Sequence, residues 1–140
     1  LLSGRLSGKK KSLIRDLVEE NDLNLRLTPN QDILLCNMPN KNKSKIKKAL
    51  KKIGYDNLND INEIQRHALA CPALPLCGLA MTEAERILPE VLTRIENLLT
   101  DMNIEKTILF RMTGCPNGCT RPYMAELALV GSGQKLILRH

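Results

Sequence analysis

Four of the chain's five cysteines fall into two short clips, Cys71-Pro72-Ala73-Leu74-Pro75-Leu76-Cys77 and Cys115-Pro116-Asn117-Gly118-Cys119. An odd number of thiols in a lysine-rich chain without a secretion signal points to a reducing compartment, and to metal or redox use rather than a disulfide framework. Zinc clips usually leave two to four residues between ligands and often recruit His. The first clip leaves five, between Pro72 and Leu76, and departs from that pattern. Four thiolates without His fit an iron–sulfur cluster, which accepts more varied spacing. A zinc staple stays open as the alternative. Pro72 and Pro75 stiffen the first clip, while Gly118 is free to take a positive φ in the second. Pro116, the Asn117-Gly118 turn and the apolar neighbours would exclude water and aim backbone amides at sulfur, which tunes a bound metal centre. Cys36 stands in a strand-like run and reads as a buried apolar residue. His67 lies outside both clips and His140 at the chain's end, and both read as incidental. Arg121 reads equally as a surface charge or as a contact for a carboxylate-rich cofactor.

The remaining composition narrows what these clips can serve. At 140 residues the chain makes one domain or two small lobes, and 43% apolar residues suit a globular core. Only 2% are aromatic and none is Trp, so the core rests on Leu, Ile, Val, Ala and Met. Such scarcity argues against single-strand recognition by base stacking, and nucleic acid is not an expected partner. The net charge of +6 sits wholly in residues 1–60, which carry 13 Lys/Arg against 7 Asp/Glu; residues 61–140 carry 8 of each. Lys43 to Lys52 therefore reads as a solvated face or as a patch that steers an acidic partner. No apolar run reaches the ~18 residues a membrane span needs. The start, Leu1-Leu2-Ser3-Gly4, shows no signal-peptide pattern, and the strand-like end at Leu136–His140 carries no polar tail, so a piece of a longer protein is expected.

Periodicity supplies the supporting elements. A helix is expected over 9–21, with Leu13, Ile14, Leu17 and Val18 on its apolar face. Leu23, Leu25 and Leu27 alternate as one half-buried strand; Thr28-Pro29-Asn30-Gln31 turns the chain, and residues 33–36 return as the second strand of a hairpin. Residues 45–53 predict a second helix with Ile46, Ala49, Leu50 and Ile53 inward, stopped by Gly54. That order gives a small α+β lobe, its two helices on one sheet face. Residues 55–70 predict a linker with a short helix. Thr82-Glu83-Ala84-Glu85 has the form of a capping box, and the helix it opens is expected to reach Met102 with a kink at Pro89. Ile87, Val91, Ile95, Leu98 and Leu99 are its expected core face. Residues 107–112 predict a strand leading into the second clip, and 126–130 with 135–138 a hairpin around Gly131-Ser132-Gly133.

Taken together, Ala70-Cys71-Pro72-Ala73-Leu74-Pro75-Leu76-Cys77 and Arg111-Met112-Thr113-Gly114-Cys115-Pro116-Asn117-Gly118-Cys119 resemble the sirohaem and four-iron four-sulfur signature of the sulfite/nitrite reductase family. Leu25-Arg26-Leu27-Thr28-Pro29-Asn30-Gln31 resembles its ferredoxin-like half domain. Arg121-Pro122-Tyr123-Met124-Ala125-Glu126 is similar to the sulfite branch rather than the nitrite branch. Gly78 and Thr120 depart from the usual Pro and Ala without touching a ligand. The resemblance implies an α+β protein with the half domain over 1–66 and part of the sirohaem/iron–sulfur domain over 67–140. It implies Cys71, Cys77, Cys115 and Cys119 as cluster ligands, Cys119 also bridging to the sirohaem iron, and Asn117, Arg121 and Gly114 orienting the tetrapyrrole. It implies six-electron reduction of sulfite to sulfide, with electrons from ferredoxin or a flavoprotein, in the cytoplasm or a plastid stroma. The family's substrate-binding Arg and Lys motifs have no match here, so this chain alone is expected to be inactive.

Overall fold

The structure, a computed structural model, describes residues 2–52, 54–55, 61–133 and 135–139, the last five by backbone alone. Ile53, His140 and residues 56–60 of the expected linker lie outside the described residues. The chain divides into two compact units, residues 1–61 and 62–140.

In the first unit, helix α1 (Gly8–Glu20) leads to strands β1 (Asn24–Leu27) and β2 (Ile33–Cys36), then to helix α2 (Lys43–Lys52). The strands pair antiparallel, Asn24 opposite Cys36 and Leu27 opposite Ile33. Leu17 of α1, Leu23 and Ile46 of α2 form the core, with Val18, Leu35, Met38, Ala49 and Leu50 packed against it. Gly54 closes α2 at φ +83°, and the Tyr55 amide reaches back to the Leu50 carbonyl. The expected alternation along β1 does not produce burial. Leu23, just before the strand, is buried, whereas Leu25 is exposed and Leu27 is 79% exposed. The core gathers Leu23 and Leu35, and Leu27 at the far end of the ladder lies outside it. Leu13 is likewise exposed, and Cys36, expected to be buried, is only half so.

The second unit is a four-stranded sheet in the order β3-β4-β5-β6, formed by β3 (Leu69–Ala70), β4 (Phe110–Thr113), β5 (Leu127–Ser132) and β6 (Lys135–Arg139). β3–β4 and β4–β5 pair parallel, β5–β6 antiparallel as the expected hairpin. A parallel pair needs a long crossover, and helix α4 (Leu88–Asp101) supplies it between β3 and β4. β4 lies between two parallel neighbours, and all four of its residues are buried. Phe110 and Met112 join Ile64, Ala70, Cys71, Ala73, Ala84, Leu88 and Leu92 in one core. Ile64 comes from the short helix α3 (Glu63–His67), capped where Asn62 Oδ1 accepts from the Gln65 amide at 2.9 Å.

The helix expected from Thr82 begins instead at Leu88, with Pro89 in its first turn. A helix running through would require the Pro89 amide as a donor, and proline has none; in the first turn that donor has no helical acceptor anyway. The Thr82 hydroxyl caps nothing and donates to the Glu83 carbonyl at 3.2 Å. The Glu85 amide is taken by the Cys71 carbonyl at 3.1 Å, which holds 82–87 against the first clip. The buried stripe of α4 is therefore Leu88 and Leu92, flanked by Val91, Ile95 and Leu99, while Leu98 faces solvent. Leu92→Ala is expected to cost about 2–5 kcal/mol and Leu98→Ala under about 0.5 kcal/mol, read as the difference in urea unfolding midpoints.

Candidate functional site

The two cysteine clips leave the same end of the sheet. Parallel pairing sets Ala70 opposite Met112, and the Cys71 amide extends the ladder onto the Met112 carbonyl at 3.1 Å. Cys71 thereby comes level with Thr113, at the mouth of the second clip. The Gly114 amide donates to Cys71 Sγ at 3.2 Å. The Thr113 hydroxyl stands 3.7 Å from the same sulfur and 3.3 Å from the Cys115 carbonyl.

Gly114 is the node that joins the loops. Its carbonyl accepts from the Met81 amide at 2.7 Å and the Thr82 amide at 3.1 Å. A Cβ there would lie 2.7 Å from the Ala73 methyl and 2.8 Å from the Thr82 carbonyl. Gly131 of β5 leaves the room from the other side, since a Cβ on it would stand 2.4 Å from the Gly114 carbonyl oxygen. In a strand, an isolated glycine marks such a close backbone approach. Gly131 lies within β5 and not in the turn expected around Gly131-Ser132-Gly133.

Cys71 and Cys115 are buried, Cys77 half-buried and Cys119 exposed, all as free thiols. Within the first clip the Cys77 amide binds the Ala73 carbonyl at 2.8 Å, and Ala73 takes a positive φ of 51°. In the second, Gly118 adopts the expected positive φ, 65°, and Arg121 a left-handed 59°. Asn117 and Arg121 are exposed. The structure brings Cys71, Gly114 and the Cys115 backbone together. Among the described residues, no three His, Cys, Asp or Glu side chains are grouped closely enough to hold a metal ion. As a donor set the clips fit an iron–sulfur cluster in kind and number: four unpaired thiols on adjoining loops, one sulfur already accepting an amide hydrogen.

Two further polar side chains, Arg111 and Thr120, are buried beside the loops. Arg111 is buried in β4 and donates to the His67 and Phe110 carbonyls. Burial, and then the nearby charge of Arg121, push its guanidinium below the usual arginine range. Thr120, also buried, donates to the Met112 carbonyl at 3.1 Å and ties the end of the second clip back to β4. None of the described helices is long and apolar enough to cross a membrane.

Mixed helix and sheet in both units define an α+β protein, the second unit offering cysteine loops from one sheet end. Residues 1–53 match the nitrite/sulfite reductase ferredoxin-like half domain. The chain is 45% identical over 137 residues to the sulfite reductase [ferredoxin] of Synechococcus elongatus, covering 94% of this chain and 22% of that protein. It is 45% identical over 119 residues to the sulfite reductase [NADPH] hemoprotein beta-component of Methylocella silvestris, 84% of this chain and 21% of the relative. The NirA protein of Mycobacterium tuberculosis shares the fold, with a TM-score of 0.76 at 23% identity, over 94% of this chain and 24% of that one. Residues 1–53 thus carry the half domain of nitrite/sulfite reductases, and most of the chain is similar to one stretch of the sulfite reductases. It spans about a fifth of the length of the sulfite reductases it matches.

The packing at Gly114 has a direct test. Gly131→Ala is expected to destabilise the protein by about 1–3 kcal/mol because the added methyl meets backbone. Ser132→Ala, at the neighbouring half-buried position, should stay within about 0.5 kcal/mol. Thermal unfolding followed by circular dichroism distinguishes the two.

Proposed function

We propose that this chain is the cluster-holding part of a sulfite reductase, in which Cys71, Cys77, Cys115 and Cys119 would hold a four-iron four-sulfur cluster and Cys119 would also serve the sirohaem. The observation that carries this reading is the parallel β3–β4 pairing, which starts both cysteine loops side by side although they lie some forty residues apart. When bound, the cluster and sirohaem would relay electrons from the external donor to sulfite, six for each sulfide formed.

The residues of the chain divide the remaining work. Buried Cys71 and Cys115 anchor the cluster on the sheet, where the low dielectric strengthens each hydrogen bond to sulfur. Cys119, exposed at the end of its loop, suits a sulfur that must also face a second group. Leu74, Leu76, Leu79, Met81, Tyr123 and Met124 in and beside the two loops are all exposed. A large flat macrocycle would give them apolar surface to cover. Asn117 and Arg121, both exposed, would orient that ring, the arginine toward its carboxylates, whereas the Gly114 backbone, expected to share that task, is engaged by Cys71, Met81 and Thr82. The half domain is read over 1–66 and the cofactor domain over 67–140, with α3 across the division.

Sulfite is an anion, and its reduction calls for positive charge and proton donors beside the reacting face. The family's basic substrate-binding motifs have no counterpart in these residues, so the chain alone should hold a cluster without turning over sulfite. Relatives named for ferredoxin and for NADPH both occur, and the donor is proposed as ferredoxin or a flavoprotein.

Anaerobic reconstitution with iron and sulfide tests the assignment. The wild type is expected to bind four irons per chain and turn brown, Cys71→Ser and Cys115→Ser to lose most of the iron, and Cys36→Ser to keep it. Tight uptake of zinc with no iron chromophore would instead favour a zinc-stapled basic module.

A further inference from the structure

We propose that Thr113 is a positioning residue for the cluster: its hydroxyl joins the Gly114 amide in donating to the Cys71 sulfur, and this second donor raises the cluster's reduction potential. The inference rests on the reading of Cys71 as a ligand.

Its physical basis is the register of the sheet. Because Ala70 pairs with Met112, Cys71 lies alongside Thr113, and the threonine side chain is almost wholly enclosed at 1% exposure. A hydroxyl in such a place is costly unless it is hydrogen-bonded. Packing alone would accept valine, which has nearly the same shape and a strong preference for strands. The hydroxyl has one hydrogen and two acceptors in range, the Cys115 carbonyl at 3.3 Å and Cys71 Sγ at 3.7 Å. A metal-bound thiolate carries negative charge, and charge-assisted bonds are roughly twice as strong as neutral ones. The single hydrogen therefore turns to sulfur when Cys71 serves as a ligand, while the Gly114 amide holds the sulfur from its own side at 3.2 Å. Reduction adds negative charge to the cluster and its thiolates. Donors on the sulfur stabilise the reduced form more than the oxidised form, which raises the potential. No water reaches this enclosed side chain to replace a lost donor.

Thr113→Val removes the hydrogen and keeps the shape; Thr113→Ser keeps the hydrogen. The reconstituted wild type and both variants are compared by iron content, by redox titration followed by electron paramagnetic resonance, and by pulsed measurements of the reduced cluster in D2O. T113V is expected to load four irons, to shift the midpoint potential negative and to lose one exchangeable deuterium coupling, while T113S retains both properties. Should T113V fail to load, Thr113→Ala stands in for it. A loaded T113V or T113A with the wild-type potential overturns the inference and leaves the cluster assignment intact. A wild type that binds no iron overturns that assignment, and the inference with it.

Discussion

The arrangement of the second unit depends on one short parallel pairing, Leu69-Ala70 against Arg111-Met112. Two residues of ladder contribute little by themselves. The register is nevertheless tightly held, because its neighbours would all move with it. A slip by one residue would turn Phe110 and Met112, both nearly inaccessible, out of the core and bring Arg111 into it. The Arg111 guanidinium adds a second pin, since it donates to the His67 carbonyl just ahead of β3. What fixes the hydrophobic core therefore also fixes where Cys71 meets Thr113 and Gly114.

From that register the loops are sewn by backbone rather than by side chains. Gly114 receives the Met81 and Thr82 amides and gives its own to a sulfur. Gly131 and Ala73 are small so that this peptide can fit. A thiol site built this way has its donors in place before any ligand arrives, which suits a centre whose electronic properties follow from hydrogen bonds to sulfur. The exposed end is different in kind. Cys77 and Cys119 are less buried than Cys71 and Cys115, and the apolar residues around them lack cover within the described chain. The half of the site toward the sheet is enclosed; the half away from it is exposed.

The first unit follows another logic. Its helices share a small core of Leu17, Leu23 and Ile46, and α2 puts six lysines into ten residues, none of them buried. The lysine bias that distinguishes the N-terminal half by composition is thus a property of a surface helix. The cysteine loops belong to the unit whose charges balance.

Much of this could be read from residue order alone. The clips declared themselves by type and spacing, Gly118 by the conformation its turn requires, and the hairpins and α1, α2 by their periods. Structure and pattern part at the start of α4, at Leu25 and Leu27, and at Leu98 alone of the five residues expected on the core face of α4. Periodicity says which residues can lie together, but burial depends on how much neighbouring structure covers them. The capping-box pattern at Thr82 lost to a long-range bond, the Glu85 amide on the Cys71 carbonyl, which no local pattern contains. The part played by Thr113 and Gly131 was also decided only in three dimensions. Each acts through a neighbour tens of residues or a whole strand away, and only the sheet's register determines which neighbour that is.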